Sequence, residues 1–172
     1  DDRAAAYQAV SYLIQQGHRK IAVLGGPATS YPSMMRRQGA QQAMEDAGIR
    51  FEDKLYGLSN YDFESAYHAM NGLLARRAEF TALFAMSDVI AFGAIRALVS
   101  AGLQVPEDVS VIGFDGITMS RYCVPVMTTI VQPSEQIALQ SIELLVRQIE
   151  HGAPAQTVTL QPELQQLSLI HI

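Results

Sequence analysis

Short apolar runs alternate along this chain with longer segments whose apolar residues recur at helical spacing. Apolar runs bounded by glycine or polar residues are typical of strands buried in a parallel sheet. The pattern predicts strands over 20–26, 54–59, 80–87, 110–116, 127–132 and 156–164, and helices over 3–16, 33–47, 63–77, 88–100 and 133–151. Because strands and helices alternate, we expect an α/β fold with a mainly parallel, doubly wound sheet.

The ends of the predicted helices carry residues that commonly start or stop helices. Asp1 or Asp2 is placed to cap the first helix, and Gly17 is placed to end it. Pro133 stands at a favoured first position of the last helix. Asp88 opens the fourth helix, and we expect it to cap that helix rather than to bind a ligand.

Polar side chains follow most of the predicted strands. In open α/β sheets, ligands bind beyond the carboxyl ends of the strands, so these residues are candidates for a binding site. The set is Ser30, Ser33, Arg36, Asn60, Tyr61, Asp62, Ser87, Asp88, Asp115 and Gln132. An arginine and a carboxylate can pair with diols or heteroatom edges, and an aromatic face can stack on a ring. The sequence therefore predicts a site for a sugar-like or nucleobase-like ligand.

Each of these side chains also has a purely structural interpretation. Asp115 could shape a turn with the glycine that follows it. Arg36 could lie on a solvated helix face, as charged side chains usually do. Tyr61 could be an exposed loop residue, Ser87 a polar stop, and Gln132 a partner for backbone groups at a helix start. The pattern leaves both interpretations open for each residue.

Composition narrows the classes of protein to consider. The 172 residues are 49% hydrophobic and 17% charged, which is typical of a folded chain of one domain or two small lobes. A net charge of −5 argues against nucleic-acid binding by this segment alone. No apolar run reaches the ~18–20 residues that cross a bilayer, and no signal peptide is evident, although the chain opens on Asp1 rather than Met. The single cysteine, Cys123, indicates a reducing, cytoplasmic location.

The motifs of common enzymes are missing from the sequence. There is no G-x-G-x-x-G fingerprint, no phosphate-binding P-loop and no G-x-S-x-G elbow. Cys123 has no neighbouring histidine to activate it, and the four histidines are too scattered to suggest a metal site. We therefore expect a binding protein rather than an enzyme, with no cofactor and no metal.

Four segments carry a specific resemblance to a known family. They are GHRKIAVLGGP, RRQGAQQAMEDAGI, SDVIAFGAIRALVSAGLQVPEDVSVIGFDG and PVMTTIVQP, and they stand in family order and at family spacing. The chain resembles the C-terminal, effector-binding part of the lactose/galactose-repressor (LacI/GalR) family of bacterial transcription regulators. The resemblance implies a periplasmic-binding-protein-like fold, in which two α/β lobes enclose the ligand in a cleft.

The resemblance also implies how the chain is divided. Residues 1–131 would form mainly the C-terminal lobe, 132–156 would belong to the N-terminal lobe, and 157–172 would be a return strand and the C-terminus. The N-terminal lobe would be incomplete here. The helix-turn-helix through which the family binds operator DNA does not occur in this chain. The alternative is a periplasmic sugar-binding protein of a transporter, which shares the fold.

Residue by residue, the resemblance assigns roles to several of the candidates. It implies that Arg36 and Asp115 hold the effector, that Tyr61 stacks on it, and that Ser87 and Gln132 lie at the cleft. Ser87 stands where many sugar-binding members have asparagine, and Pro32 stands where a hydroxyl residue is common. The implied ligand is therefore a sugar or a similar small polar metabolite, without a closer definition.

The segment 117–127 is a connection with an unusually apolar composition. A loop of this kind is usually covered by another surface. Family members form dimers through this side of the lobe. We therefore predict a homodimer whose interface includes Met119, Tyr122 and Cys123.

Overall fold

The computed structural model describes residues 1–124 and 126–167. Five α-helices lie in this part of the chain: α1 (Asp2–Gln15), α2 (Tyr31–Asp46), α3 (Phe63–Ala75), α4 (Asp88–Ser100) and α5 (Ser134–His151). Its strands are β1 (Ile21–Gly25), β2 (Tyr56–Leu58), β3 (Ala82–Ala85), β4 (Ser110–Asp115), β5 (Thr128–Val131) and β6 (Glu163–Gln165). Short 3₁₀ turns cover Asp53–Leu55 and Thr118–Arg121.

The described strands form one sheet in the order β2-β1-β3-β4-β5-β6. The first five are parallel, and β6 runs antiparallel to β5. The connection from β1 to β2 and the connection from β2 to β3 cross the sheet in opposite directions. Since such crossovers are right-handed, α2 and α3 lie on opposite faces. The predicted α/β fold with a mainly parallel, doubly wound sheet is confirmed.

Helix α1 packs against α2, and α3 packs against α4. Each pair depends on a glycine at its contact. A Cβ on Gly39 of α2 would lie 2.1 Å from the carbonyl oxygen of Arg3 in α1. A Cβ on Gly93 of α4 would lie 2.6 Å from the carbonyl oxygen of Phe63 in α3. The backbones therefore approach more closely than any larger residue would allow.

The core lies between these helix pairs and the central strands. Strands β1 and β3 are buried along their whole length, as is β4 up to its last residue. Phe84, Phe114 and Leu24 are among the largest fully buried side chains. The strands stay buried up to their ends, so the polar candidates begin where each strand leaves the core.

The prediction of a strand over 156–164 is wrong for most of its length. Only Glu163–Gln165 pairs with the sheet, and 153–162 has no regular secondary structure. A strand needs a neighbour to accept and donate its backbone hydrogen bonds. Such a neighbour reaches only the end of this segment, where Ile130 of β5 lies opposite Leu164. The end of the predicted segment 157–172, residues 168–172, lies outside the described residues.

Helix α5 has no buried residue, although its sequence is amphipathic. Its exposed apolar side chains are Ile137, Leu139, Ile142, Leu145, Val146 and Ile149. The helix ends at Gly152, whose φ of 61° is the left-handed conformation that glycine adopts easily. Its apolar face is thus uncovered by the part of the chain that the structure describes. Among the same residues, none of the helices combines the length and apolar character that crossing a bilayer needs.

Candidate ligand-binding site

The topology of the sheet marks one edge as the place for a ligand. The chain leaves β1 toward β2 on one side and returns to β3 on the other, so a crevice forms between the carboxyl ends of β1 and β3. Ser30 and Ser87 follow these two strands and precede α2 and α4. Asp115 ends β4, the next strand along. The candidates predicted from strand ends therefore share one edge.

Arg36 is buried within this edge rather than exposed on its helix. It is 5% exposed, whereas the side chain of Arg37 is 41% exposed. The Nε of Arg36 donates to Oδ1 of Asp2 at 2.7 Å, and its Nη1 donates to the carbonyl oxygen of Met86 at 2.5 Å. The guanidinium carbon lies 3.7 Å from the centre of the Phe114 ring, a cation–π contact. The solvated-face interpretation holds for Arg37 and is wrong for Arg36.

Asp115 faces Arg36 across the end of the sheet. Its Oδ1 accepts from Nε2 of Gln132 at 2.6 Å and from Nη1 of Arg36 at 3.5 Å. Burial raises the pKa of the Asp115 carboxyl above its usual value, and the positive charge of Arg36 opposes that rise. Asp115 also has a φ of 119°, followed by Gly116 at 71°, so the chain turns sharply here. Asp115 therefore starts this turn and also presents its partly exposed carboxylate at the edge of the sheet.

Tyr61 lies across the end of β1 in a strained backbone conformation, with a φ of 60°. Its Oη is 2.7 Å from Oγ of Ser33 on α2, a hydrogen bond in which either hydroxyl can donate. Its ring occupies the space above Gly26, where a Cβ would come within 2.0 Å of a ring carbon. Tyr61 is half-buried and held from two sides, so it is not a freely exposed loop residue.

The two serines after β1 and β3 differ in how their hydroxyls are used. Ser87 is 4% exposed, and its Oγ accepts from the backbone N–H of Ile90 at 3.2 Å. Ser87 is therefore the cap of α4, and the prediction that Asp88 caps this helix is wrong. Ser30 holds the same position at the start of α2, but its side chain makes no capping hydrogen bond. The Ser30 hydroxyl remains available at the crevice.

Asp88 holds the turn after β4 and strand β5 in place through hydrogen bonds, a role that the sequence did not indicate. Its carboxylate is fully buried; Oδ1 accepts from Oγ1 of Thr129 at 2.6 Å and Oδ2 accepts from the backbone N–H of Ile117 at 2.8 Å. A Cβ on Gly113 would lie 2.3 Å from Oδ1, so only glycine leaves room for this carboxylate. Burial raises the pKa of Asp88 to about 6, and the hydrogen bonds from Thr129 and Ile117 oppose the rise. Asp88 thus ties α4 to the turn after Asp115.

Asp2 is the second residue whose role the sequence did not indicate. The cap of α1 is Asp1, whose Oδ1 accepts from the backbone N–H of Ala4 at 2.9 Å. Asp2 instead forms the short ion pair with Arg36, and its side chain is 30% exposed. A contact between residues this far apart in the sequence, on two different helices, leaves no trace in local spacing.

A cavity of about 470 Å³ lies beside this cluster. Asp2 and Gln132 line it, together with Tyr31, Met35 and Ile137. Arg36 and Asp115 do not line the cavity themselves; their hydrogen-bond partners Asp2 and Gln132 do. The cavity reaches α5, so it is bounded in part by the helix whose apolar face is uncovered.

The residues predicted at a dimer interface lie in and just after the 3₁₀ turn Thr118–Arg121, which follows β4. Met119 is 58% exposed and Tyr122 is 78% exposed, while Cys123 is partly buried with its Sγ 3.3 Å from the carbonyl oxygen of Ser120. A cavity of about 400 Å³ lies next to them, lined mainly by Phe92, Ile95, Val99, Leu103, Val105, Cys123 and Val124. Within residues 1–124 and 126–167, no group of three or more histidine, cysteine or acidic side chains is placed to hold a metal ion.

The fold is that of the periplasmic binding proteins, and the predicted site residues lie at the carboxyl edge of its parallel sheet. Residues 10–166 match the family of periplasmic binding protein-like domains. The chain belongs to this family.

Relatives of known function agree with the resemblance seen in the sequence. The transcriptional repressor PurR of Histophilus somni (strain 129Pt) is 37% identical over 162 residues, which are 94% of this chain and 49% of that protein. A solved structure of a sugar-binding regulator of the LacI family from Escherichia coli, in complex with phosphate, is 33% identical with a TM-score of 0.91, over 99% of this chain and 61% of that one.

A second solved structure, the transcriptional regulator CelR with cellobiose, is 32% identical with a TM-score of 0.94, over 98% of this chain and 52% of that one. The resemblance to the LacI/GalR family is therefore confirmed. The chain spans about half the length of the curated relatives it matches.

Proposed function

We propose that this chain is the effector-binding part of a bacterial, LacI-type transcriptional repressor that acts in the cytoplasm. Its ligand is a sugar or a similar small polar metabolite, held at the carboxyl edge of the sheet. The observation that carries the proposal is the cluster of buried Arg36 with the partly buried Asp115 and Gln132, joined by hydrogen bonds at the carboxyl edge of the sheet. Operator DNA is bound by a helix-turn-helix outside this chain.

The unused hydrogen-bonding groups of the cluster suit a hydroxyl-rich ligand. Within the described residues, Nη2 of Arg36 makes no hydrogen bond, and neither does Oδ2 of Asp115. A pair of neighbouring hydroxyls can accept from the first group and donate to the second. Hydrogen bonds to charged groups contribute ~1.5–3 kcal/mol each. The ring of Tyr61 stacks on the apolar face of such a ligand.

The exposed face of α5 supports the proposed division of the chain. Residues 132–156 form part of the other lobe, and residues 1–131 form most of the lobe described above. In this arrangement, the apolar side chains of α5 pack against the segment of the longer protein that precedes this chain. Burial of such a face contributes about 25 cal/mol for each Å² of apolar surface. The ligand then lies between the lobes, beside Gln132.

The proposed protein is a homodimer that associates through the apolar segment around Tyr122. Exposed Met119, Tyr122 and Val124 lie beside the apolar cavity of α4, and surfaces of this kind mark protein contacts. The E. coli and CelR regulators described above suggest a regulator rather than a transporter component. A helix-turn-helix encoded upstream of Asp1 would support the regulator, and a secretory signal would support the periplasmic sugar-binding protein.

The experiment that tests the proposal is ligand binding by the complete reading frame that encodes this chain. A thermal-shift screen of sugars and nucleosides identifies the effector, and calorimetry measures its affinity. Arg36→Ala should weaken binding by roughly 2–5 kcal/mol, because it removes a donor to the ligand and leaves the partly buried carboxylates of Asp2 and Asp115 without their cation. The matched control is Arg37→Ala, which removes the same side chain from the exposed neighbour and should bind normally. If Arg36→Ala folds and binds the effector as the parent does, the cluster is not the site.

A further inference from the structure

We propose that Asp2 makes this site selective for a neutral, hydroxyl-rich ligand over the phosphorylated form of the same ligand. The inference rests on the proposed function, since it concerns the ligand of the same cluster. Asp2 is thus a residue that determines specificity, and the effector is uncharged.

The first observation is the balance of charge at the cluster. The single guanidinium of Arg36 is shared by two carboxylates, Asp2 at 2.7 Å and Asp115 at 3.5 Å. A third carboxylate, Asp88, lies beneath the turn that follows Asp115. The arginine is therefore already neutralised by Asp2 before a ligand arrives, and Asp115 leaves the cluster with an excess of negative charge.

The second observation is burial, which decides how strongly this excess acts. Arg36 is 5% exposed, and the side chains of Asp2 and Asp115 are 30% and 27% exposed. Charges in such surroundings interact more strongly than charges in water, and salt screens them less. A ligand that carries a phosphate brings a charge of about −1.5 to −2 at pH 7. Its approach is opposed by Asp2 and Asp115 and favoured by Arg36, while the opposite charges of Asp1 and Arg3, which also line the neighbouring cavity, offset each other.

The third observation is the kind of hydrogen-bonding group that remains unused. Oδ2 of Asp115, Oγ of Ser30 and the amide oxygen of Gln132 make no hydrogen bond with the described residues, and beside these three oxygens stands one unused guanidinium nitrogen, Nη2 of Arg36. Carboxylate and amide oxygens only accept, so they need a ligand with O–H or N–H donors. Sugars and nucleosides supply such donors, whereas a phosphate dianion supplies acceptors alone.

Besides the arginine, the start of α2 also favours an anion at this edge. Aligned peptide dipoles place the equivalent of about half a positive charge at the N-terminus of a helix. Half a charge is smaller than the full negative charge that Asp2 contributes, and it is spread over the first turn. The carboxylate of Asp2 therefore decides the preference.

The test compares matched ligands on the complete reading frame. Neutral sugars and nucleosides are measured by calorimetry beside their monophosphates, and inorganic phosphate is tested as a competitor. We expect the neutral member of the bound pair to bind about tenfold or more tightly than its monophosphate, and phosphate not to compete. Asp2→Asn keeps an oxygen that can accept from Arg36 and removes the charge, so it should reduce the preference about fivefold or more.

The matched control is Asp53→Asn, which makes the same change at an aspartate whose side chain is 92% exposed and pairs weakly with Arg37. It should leave the preference unchanged. Added salt should reduce the preference of the parent protein, a second measurement that does not depend on the folding of any variant. The inference is overturned if the monophosphate binds the parent as tightly as the neutral ligand, or if a folded Asp2→Asn keeps the full preference. If no member of either series binds the parent, the proposed function itself is wrong and the inference falls with it.

Discussion

The buried carboxylate of Asp88 should make the stability of this protein depend on pH in an unusual direction. Burial raises its pKa from 3.8 to about 6 in the folded protein. A difference of about two in pKa corresponds to about 3 kcal/mol, which is the free-energy cost of keeping this carboxylate charged at neutral pH. The folded protein therefore holds a proton at Asp88 more tightly than the unfolded chain does.

The sign of the effect follows from that difference. Between pH 7.5 and pH 5, the folded protein takes up a proton at Asp88 while the unfolded chain stays ionised there. The contribution of Asp88 to the free energy of unfolding should thus rise by about 1.4 kcal/mol as the pH falls over this range. Two exposed carboxylates act in the opposite direction: the hydrogen bond and charge of Lys20 lower the pKa of Glu79, and the backbone N–H of Ser65 lowers that of Asp62.

Asp88→Asn separates this contribution from the others. The amide keeps the volume and an oxygen that can accept from Thr129, but it does not titrate. Urea unfolding of the parent and the variant should give a stability difference that shifts by about 1.4 kcal/mol toward the parent between pH 7.5 and pH 5. A carboxyl-carbon NMR titration should place the pKa of Asp88 near 6.

Asp53→Asn is the control, since it removes an exposed carboxylate and should show no such shift. A stability difference between the parent and Asp88→Asn that is constant from pH 5 to 7.5 would refute the reasoning. An Asp88 resonance that titrates near pH 4 would also refute it, because burial would then not have raised the pKa of this carboxyl.

Two further changes test the packing around the site and the proposed interface. Gly26→Ala places a methyl group where the ring of Tyr61 lies, so it should displace the ring, weaken effector binding and destabilise the protein by about 1–3 kcal/mol. The control is Gly72→Ala, whose methyl group meets open space and should have none of these effects. Equal melting temperatures for the two variants would contradict this packing. Tyr122→Ala should shift the protein toward monomer in sedimentation equilibrium, because it removes an exposed ring from the proposed dimer contact, and an unchanged mass would exclude Tyr122 from the interface.

Local sequence patterns were sufficient to predict most elements of this fold. Helix α4 occupies the predicted residues 88–100, and five predicted strands overlap β1 to β5. Burial on both faces demands continuous apolar runs, and glycines and prolines end elements through their own backbone geometry. Because parallel strands end at one edge, the sequence also predicted that Arg36, Asp115 and Gln132 lie close together, as they do.

Local patterns failed where a residue takes its partner from a distant segment. The strand predicted over 156–164 has the right alternation, but only its end finds a neighbour in β5. An alternating pattern describes which face a side chain occupies, and it does not supply the second strand that accepts the hydrogen bonds.

The roles of the aspartates were decided only by the tertiary structure. Asp1 and Asp2 are chemically identical neighbours at the start of a helix, yet one caps α1 and the other pairs with Arg36 on α2. Asp88 could have capped α4, but Ser87 does so, and Asp88 is left to bind Thr129 and Ile117 across the sheet. The sequence by itself determined where carboxylates occur and at which edge they meet. Helix and strand packing sets the distances that decide which donors each carboxylate accepts from. A hydrogen bond forms only within ~3.5 Å, and local spacing in the sequence carries no information about such distances.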